Sequence, residues 1–182
     1  AGERIRIGYV SSFMRNHTVG QFLLGWLEGH RRERFEIVCY HIGTDTDMVT
    51  DRIRARADTF HQVGGYLEAA AGRIAADRLH LLVYTDIGMN ALASQLAALR
   101  LAPVQCKGWG HPVTTGLPSI DYYLSSDLME PEDAAEHYSE TLVRLPNLAL
   151  HYTPPALPDR PLPRAELGLS DSAFVYLNSQ SL

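Results

Sequence analysis

The sequence predicts an α/β protein with a Rossmann-like, three-layer α/β/α arrangement around a mostly parallel sheet. Two observations carry this. Short apolar segments of strand length alternate with stretches of helical periodicity, the order that builds βαβ units. The strand-like segments are also apolar at consecutive positions, as strands covered on both faces must be. A third observation concerns function. Three polar or glycine-rich loops follow strands, and in open parallel sheets ligands bind at the carboxyl ends of the strands.

Each element has its own justification. Arg4 to Val10 alternates and then becomes continuously apolar, which reads as a first buried strand. Val19, Phe22, Leu23, Trp26 and Leu27 recur at helical spacing. Thr18 with Gln21 three residues later has the form of a capping box, which predicts Thr18 as the N-cap and places His17 just outside the helix. Phe35 to Tyr40 is a second strand, and Met48 to Ala57 reads as a helix capped by Asp47. Leu67, Ala70, Ala71 and Ile74 mark a further helix, Leu79 to Tyr84 a third strand, and Met89, Leu92, Leu96 and Leu99 another helix. Val104 to Cys106, Tyr122 to Leu124 and Thr141 to Leu145 complete the strand predictions in this region.

Five of the ten prolines fall between Pro154 and Pro163. The domain organisation read from this has three parts: residues 1–152 as a Rossmann-like lobe, 153–172 as a proline-rich linker, and 173–182 as the first strand of a second lobe. Phe174 to Leu177 carries that last strand prediction.

Composition excludes several function classes. With 182 residues, 46% hydrophobic and 20% charged, the chain has an ordinary globular balance. The net charge of −5 argues against nucleic acid or an anionic membrane surface as partner. Apolar runs fall short of a spanning helix and no leader pattern opens the chain, so a reducing cytoplasm is the expectation. Cys39 and Cys106 cannot form a disulfide framework, and no Cys/His cluster has zinc spacing, so no metal is expected. The chain has no G-x-G-x-x-G after the first strand, no phosphate-binding Gly-Lys-Ser/Thr motif and no G-x-S-x-G elbow.

The candidate rim consists of Ser11 to Thr18, Thr85 to Asn90 and Lys107 to Gly116. His17 is the leading candidate. An imidazole before a helix N-terminus faces the positive end of the dipole, which favours the neutral form and leaves it able to accept a proton or a hydrogen bond. The alternative is that His17 only satisfies backbone groups in a tight loop. Lys107 to Gly116 offers glycines for close backbone approach and threonine hydroxyls, or is a structural turn with Trp109 packed on the sheet. His111 is a lesser candidate, and Asp121, Asp127, Glu130, Glu132 and Asp133 read as a solvated face.

These residues also carry a resemblance. Arg6 to Ser12 followed by Arg15-Asn16-His17 resembles the opening of the catalytic region of protein O-GlcNAc transferases and their SPINDLY-type relatives. So do Ala98 to Gln105, Gly110 to Gly116, and Glu136 to Glu140 with Leu142 to Pro146, in the same order. The resemblance implies the N-terminal lobe of a GT-B glycosyltransferase with the active site between two lobes. The implied reaction moves a sugar, GlcNAc in the first instance, from a UDP-sugar to Ser or Thr hydroxyls of a protein acceptor, with inversion and without a metal. It implies His17 at the active-site mouth as base or positioning group, Trp109, Gly110 and Pro112 along the donor-sugar pocket, and Gln180 at the uridine nucleotide. It further implies a catalytic lysine beyond Leu182, a second lobe, and helical repeats upstream, so that residues 1–182 alone are expected to be inactive. Three positions depart from the family pattern: Phe13 stands where an acidic residue is usual, Thr18 where proline is usual, and Gly88-Met89 where a tyrosine or histidine and a threonine are usual. A protein O-fucosyltransferase relative and a non-catalytic Rossmann-like binding module are the alternatives.

Overall fold

The computed structural model describes residues 3–151 and 157–178. The chain divides into two compact units, Ala1–Tyr152 and Thr153–Leu182.

The first unit is a doubly wound sheet. Its strands are β1 (Ile5–Ser11), β2 (Phe35–His41), β3 (Thr59–Gln62), β4 (Leu81–Tyr84), β5 (Val104–Gly108), β6 (Tyr122–Ser126) and β7 (Thr141–Leu145). Their order is β3-β2-β1-β4-β5-β6-β7, and every pair is parallel. Four helices accompany them: α1 (Thr18–Gly29), α2 (Met48–Arg56), α3 (Leu67–Ala76) and α4 (Ala91–Ala97).

Consecutive strand residues serve opposite faces, which is why the strands read as unbroken apolar runs. On one face Tyr9, Ile37, Cys39 and Val83 pack with Leu23, Leu24 and Leu27 of α1 and with Val49 and Ile53 of α2. On the other, Val10, Val38, Tyr40, Leu82 and Tyr84 pack with Ala70 and Ile74 of α3 and with Ala93 and Leu96 of α4. Strand order reverses between β1 and β4, so the crevice expected of this topology opens there, between the loops that follow the two strands.

Two local expectations differ from the structure in the first unit. β3 is an edge strand of half-exposed, mostly polar residues, so hydrophobic pattern gives no sign of it. Its pairing to β2 is what makes it a strand. The N-cap of α1 is His17 rather than Thr18, because the His17 ring nitrogen accepts the Val19 amide and no Thr18–Gln21 capping box forms.

Among its described residues the second unit contains a 3-10 turn, Arg164–Leu167, closed by Gly168 at φ +67°. The Arg164 guanidinium donates to the carbonyls of Ser170 and Ala173. Residues 173–178 form no strand, and Phe174, Tyr176 and Leu177 are 85%, 91% and 87% exposed. A strand exists only through its ladder, and no ladder forms among the described residues of this unit.

Candidate functional site

The three loops nominated by sequence meet at the carboxyl edge of β1, β4 and β5. Asp86 ties the first two across the switch point. Its side chain is fully buried; Oδ2 accepts both the amide and the hydroxyl of Ser12 at 3.0 and 2.5 Å, and Oδ1 accepts the Thr85 hydroxyl at 2.8 Å. A buried carboxylate needs such donors to be tolerated at all.

The first loop is also held from outside by α2. Asp47 caps α2 with a complete capping box and accepts the Asn16 amide at 2.6 Å. The Asn16 amide is the main reason the Asp47 carboxyl sits below its ordinary range; the Thr50 and Val49 amides add to it. The Thr50 hydroxyl donates to the Met14 carbonyl at 2.6 Å. On the other side the loop lies so close to α1 that a Cβ at Gly20 would overlap the carbonyl oxygens of Arg15 and Phe13.

These restraints present His17 at the start of α1. Its backbone is extended, its Nδ1 accepts the Val19 amide at 3.2 Å, and its ring stacks on Phe13 with centroids 4.3 Å apart. Phe13 therefore supports the imidazole by stacking. Partial burial and the Arg15 guanidinium push the His17 pKa below its ordinary value, and the Asp86 carboxylate opposes them. These effects favour the neutral ring, with burial as the leading cause.

The third loop docks onto the first two. Trp109 stacks nearly parallel on Phe22 of α1, with centroids 5.6 Å apart and its Nε1 buried without a partner. At Gly110 a Cβ would overlap the Thr85 carbonyl oxygen and stand 3.0 Å from a Val19 methyl. Gly88, at φ +95°, faces the His111 ring. Glu140 clasps the far end: it accepts the Thr114 hydroxyl at 2.7 Å, the Thr115 amide at 2.8 Å and the Thr115 hydroxyl. Burial works to raise the Glu140 carboxyl, but the bonds from Thr115 and Thr114 outweigh it and hold the group below its ordinary range.

A cleft of about 250 Å³ opens in this rim, with Gly88, Ser94, Lys107, His111, Thr114 and Thr115 in its wall. Lys107, the chain's one lysine, is 1% exposed; its ammonium donates to the Val113 carbonyl and lies 5.3 Å from the centre of the Tyr123 ring. Burial lowers its pKa to about 8, with Glu140 acting against that fall. His17 and Gly110 both lie against Val19, Trp109 is packed against α1 and Pro112 is exposed, and none of the four lines this cleft. Gln180 lies outside the described residues.

Asp86 and Glu140 are the residues that sequence reasoning missed. Asp86 lay inside a nominated loop, and a lone carboxylate between a strand and Ile87 was a signal in principle. Glu140 offers none, since its partners are 25 and 26 residues away. Glu130 also departs from the solvated-face reading: it accepts the Ser125 hydroxyl at 2.5 Å and the Tyr138 hydroxyl at 2.8 Å. Among the described residues no group of three or more His, Cys, Asp or Glu side chains is placed to hold a metal ion, and no helix is long and apolar enough to cross a membrane.

A doubly wound all-parallel sheet with helices on both faces defines a Rossmann-like lobe. The chain belongs to glycosyl transferase family 41, whose family model matches residues 1–150. It is 34% identical over 155 residues to the "Probable UDP-N-acetylglucosamine--peptide N-acetylglucosaminyltransferase SPINDLY" of Solanum lycopersicum, which covers 81% of this chain and 16% of that protein. It is 29% identical over 154 residues to the UDP-N-acetylglucosamine--peptide N-acetylglucosaminyltransferase of Caenorhabditis elegans, covering 80% of this chain and 13% of that one. A solved structure titled Thermobaculum terrenum O-GlcNAc transferase mutant K341M superposes with a TM-score of 0.78 at 34% identity, over 86% of this chain and 30% of that one. The chain thus spans about one sixth or less of the length of these curated relatives.

Proposed function

We propose that this chain is the N-terminal lobe of an inverting, UDP-sugar-dependent protein O-glycosyltransferase, with GlcNAc as the sugar and Ser or Thr hydroxyls of a protein as acceptor. The observation that supports the reading is that the His17 loop and the Gly110 loop both pack on the first turn of α1: the His17 ring accepts the Val19 amide, and a Cβ at Gly110 would stand 3.0 Å from a Val19 methyl. Family membership and the names of the relatives support the donor and the acceptor class.

In this reading the acceptor hydroxyl attacks the anomeric carbon as the diphosphate departs on the opposite face. The departing group gathers negative charge, and fixed donors aimed at it lower the barrier. The resemblance assigns those donors, including a lysine and a helix N-terminus, to a second lobe, so the present lobe contributes orientation. The resemblance assigns His17 to the active-site mouth, Trp109, Gly110 and Pro112 to the donor sugar, and Gln180 to the nucleotide. No resident cofactor or metal is assigned, since the UDP-sugar is a substrate. The buried free thiols of Cys39 and Cys106 fit a reducing, cytoplasmic setting.

The test is transfer by the complete protein. Incubated with UDP-GlcNAc and a Ser/Thr peptide, it should add one N-acetylhexosamine mass to the peptide, and His17→Ala should lower that transfer while UDP affinity is kept. Fucose transfer from GDP-fucose alone would replace the donor assignment. No transfer from any sugar nucleotide would leave a binding module.

A further inference from the structure

The cleft of about 250 Å³ beside residues 109–116, the strap after β5, has no role in the sugar-nucleotide reading, since His17, Trp109, Gly110 and Pro112 lie outside its lining. Its wall combines the polar side chains of Lys107, Ser94 and His111 with the apolar ones of Ile87, Val113 and Leu117.

Lys107 is the unusual member. It alternates along β5 with Cys106, which packs on the α1 and α2 side, and so points to the opposite face, beside Tyr123, its register partner on β6. Its ammonium has three N–H donors. One goes to the Val113 carbonyl, in the wall of the cleft, and the Tyr123 ring centre stands 5.3 Å away. No carboxylate of the described residues comes within ion-pair distance of it. Glu140, the carboxylate whose charge it senses, is committed to the Thr114 hydroxyl and to the amide and hydroxyl of Thr115. An ammonium that is 1% exposed and lacks an ion-pair partner carries a desolvation cost that a neutral carbonyl and a ring face return only in part. That charge stands in the wall of an open cleft.

We propose that the cleft binds a small organic carboxylate, its charged group on the Lys107 ammonium and its short aliphatic body against Ile87, Val113 and Leu117. The chemistry of the wall selects this class. A single cation matches a single negative charge, whereas a phosphate or diphosphate brings more, and the lining holds no second Lys or Arg. Ser94 supplies a further donor, because its hydroxyl holds the Asn90 carbonyl at 3.3 Å, a long bond that can be exchanged for a better one. The volume is below the roughly 300 Å³ at which drug-sized pockets begin, so the molecule has few carbon atoms. His111 and Val113 belong to the strap, and Gly110 of the same strap rests on Thr85 and Val19, so an occupied cleft holds the strap from its other side. The proposal goes beyond the glycosyltransferase reading and does not rest on it.

Butyrate is the probe. The complete protein is labelled with 13C at the lysine ε-carbons, and Lys107 is assigned by the signal lost in Lys107→Met. At neutral pH and constant ionic strength, butyrate should shift that signal saturably, with the millimolar Kd expected of so small a ligand. Butyramide, the same body without the charge, should leave the signal in place, and phosphate should not displace butyrate. Saturation-transfer NMR on the butyrate protons gives the variants' affinities: Lys107→Met should raise the Kd by about ten-fold or more, and so should Leu117→Phe, which keeps the ammonium and fills the cleft. No saturable shift up to about 100 mM butyrate, an equal shift with butyramide, or displacement by phosphate overturns the proposal. So does an unchanged Kd in either variant with wild-type circular dichroism, and the second variant serves where the first does not fold. None of these readouts involves sugar transfer, so the test stands whether or not the donor and acceptor assignments hold.

Discussion

Gly110 leaves no room for a side chain against Thr85: a Cβ at position 110 would overlap the Thr85 carbonyl oxygen and stand 3.0 Å from a Val19 methyl. Through this contact the loop after β5 rests on the loop after β4 and on the first turn of α1, the turn that His17 caps. Gly110→Ala should therefore cost about 1–3 kcal/mol, the usual penalty for overpacking against groups that cannot yield. Urea unfolding measures it, and an unchanged midpoint would show that the strap is free to shift.

Asp86→Asn tests the tie across the switch point. It replaces a carboxylate that accepts three donors by an amide that must turn one of its own N–H groups toward them. A loss of about 1–3 kcal/mol is expected. The substitution also removes the charge that opposes the fall of the His17 pKa, so an NMR titration should find His17 protonating at still lower pH than in wild type. A His17 titration unchanged by Asp86→Asn would show that the two groups do not sense each other.

His17 also gives a signed pH dependence. Its folded pKa lies below its unfolded value, so between the two the unfolded chain binds more protons, and stability rises with pH. That contribution is complete above the unfolded value near 6.5 and is lost as pH falls through the window. His17→Asn, which keeps a capping oxygen, should flatten this part of the stability curve at small cost to α1.

Lys107 acts at the alkaline end. Its folded pKa of about 8 lies below the unfolded value near 10.5. Between them the unfolded state holds the extra proton, so stability should climb with pH, by at most about 1.4 kcal/mol per unit. Lys107→Met removes the charge and should abolish that climb relative to wild type. If both proteins show the same slope from pH 8 to 10, the ammonium is not buried at a cost.

Glu140→Gln addresses the far end of the strap. It weakens the clasp on Thr114 and Thr115 and withdraws the carboxylate that holds up the Lys107 pKa. The expected results are a loss of about 1–3 kcal/mol and, by lysine-selective NMR, a lower Lys107 pKa. Coupling between Glu140→Gln and Lys107→Met should appear in a double-mutant cycle.

The sequence by itself determined the layers. Runs such as Ile7 to Val10 and Ile37 to Tyr40 must be covered on both faces, and the period of Phe22, Leu23 and Leu27 must present one apolar stripe; both are local patterns that tertiary contacts only confirm. It also placed the three loops at strand ends, since strand direction in a parallel sheet follows from the alternation of elements. The tertiary structure decided what local pattern cannot encode. Thr59 to Gln62 became a strand because β2 offered a free edge. The cap of α1 passed from Thr18 to His17 because the ring nitrogen, held by Phe13, reached the Val19 amide. Asp86 and Glu140 acquired their roles largely from partners 25 to 74 residues away. Burial and hydrogen-bond geometry depend on distances between segments remote in the chain, and those distances exist only once the sheet has closed over its helices.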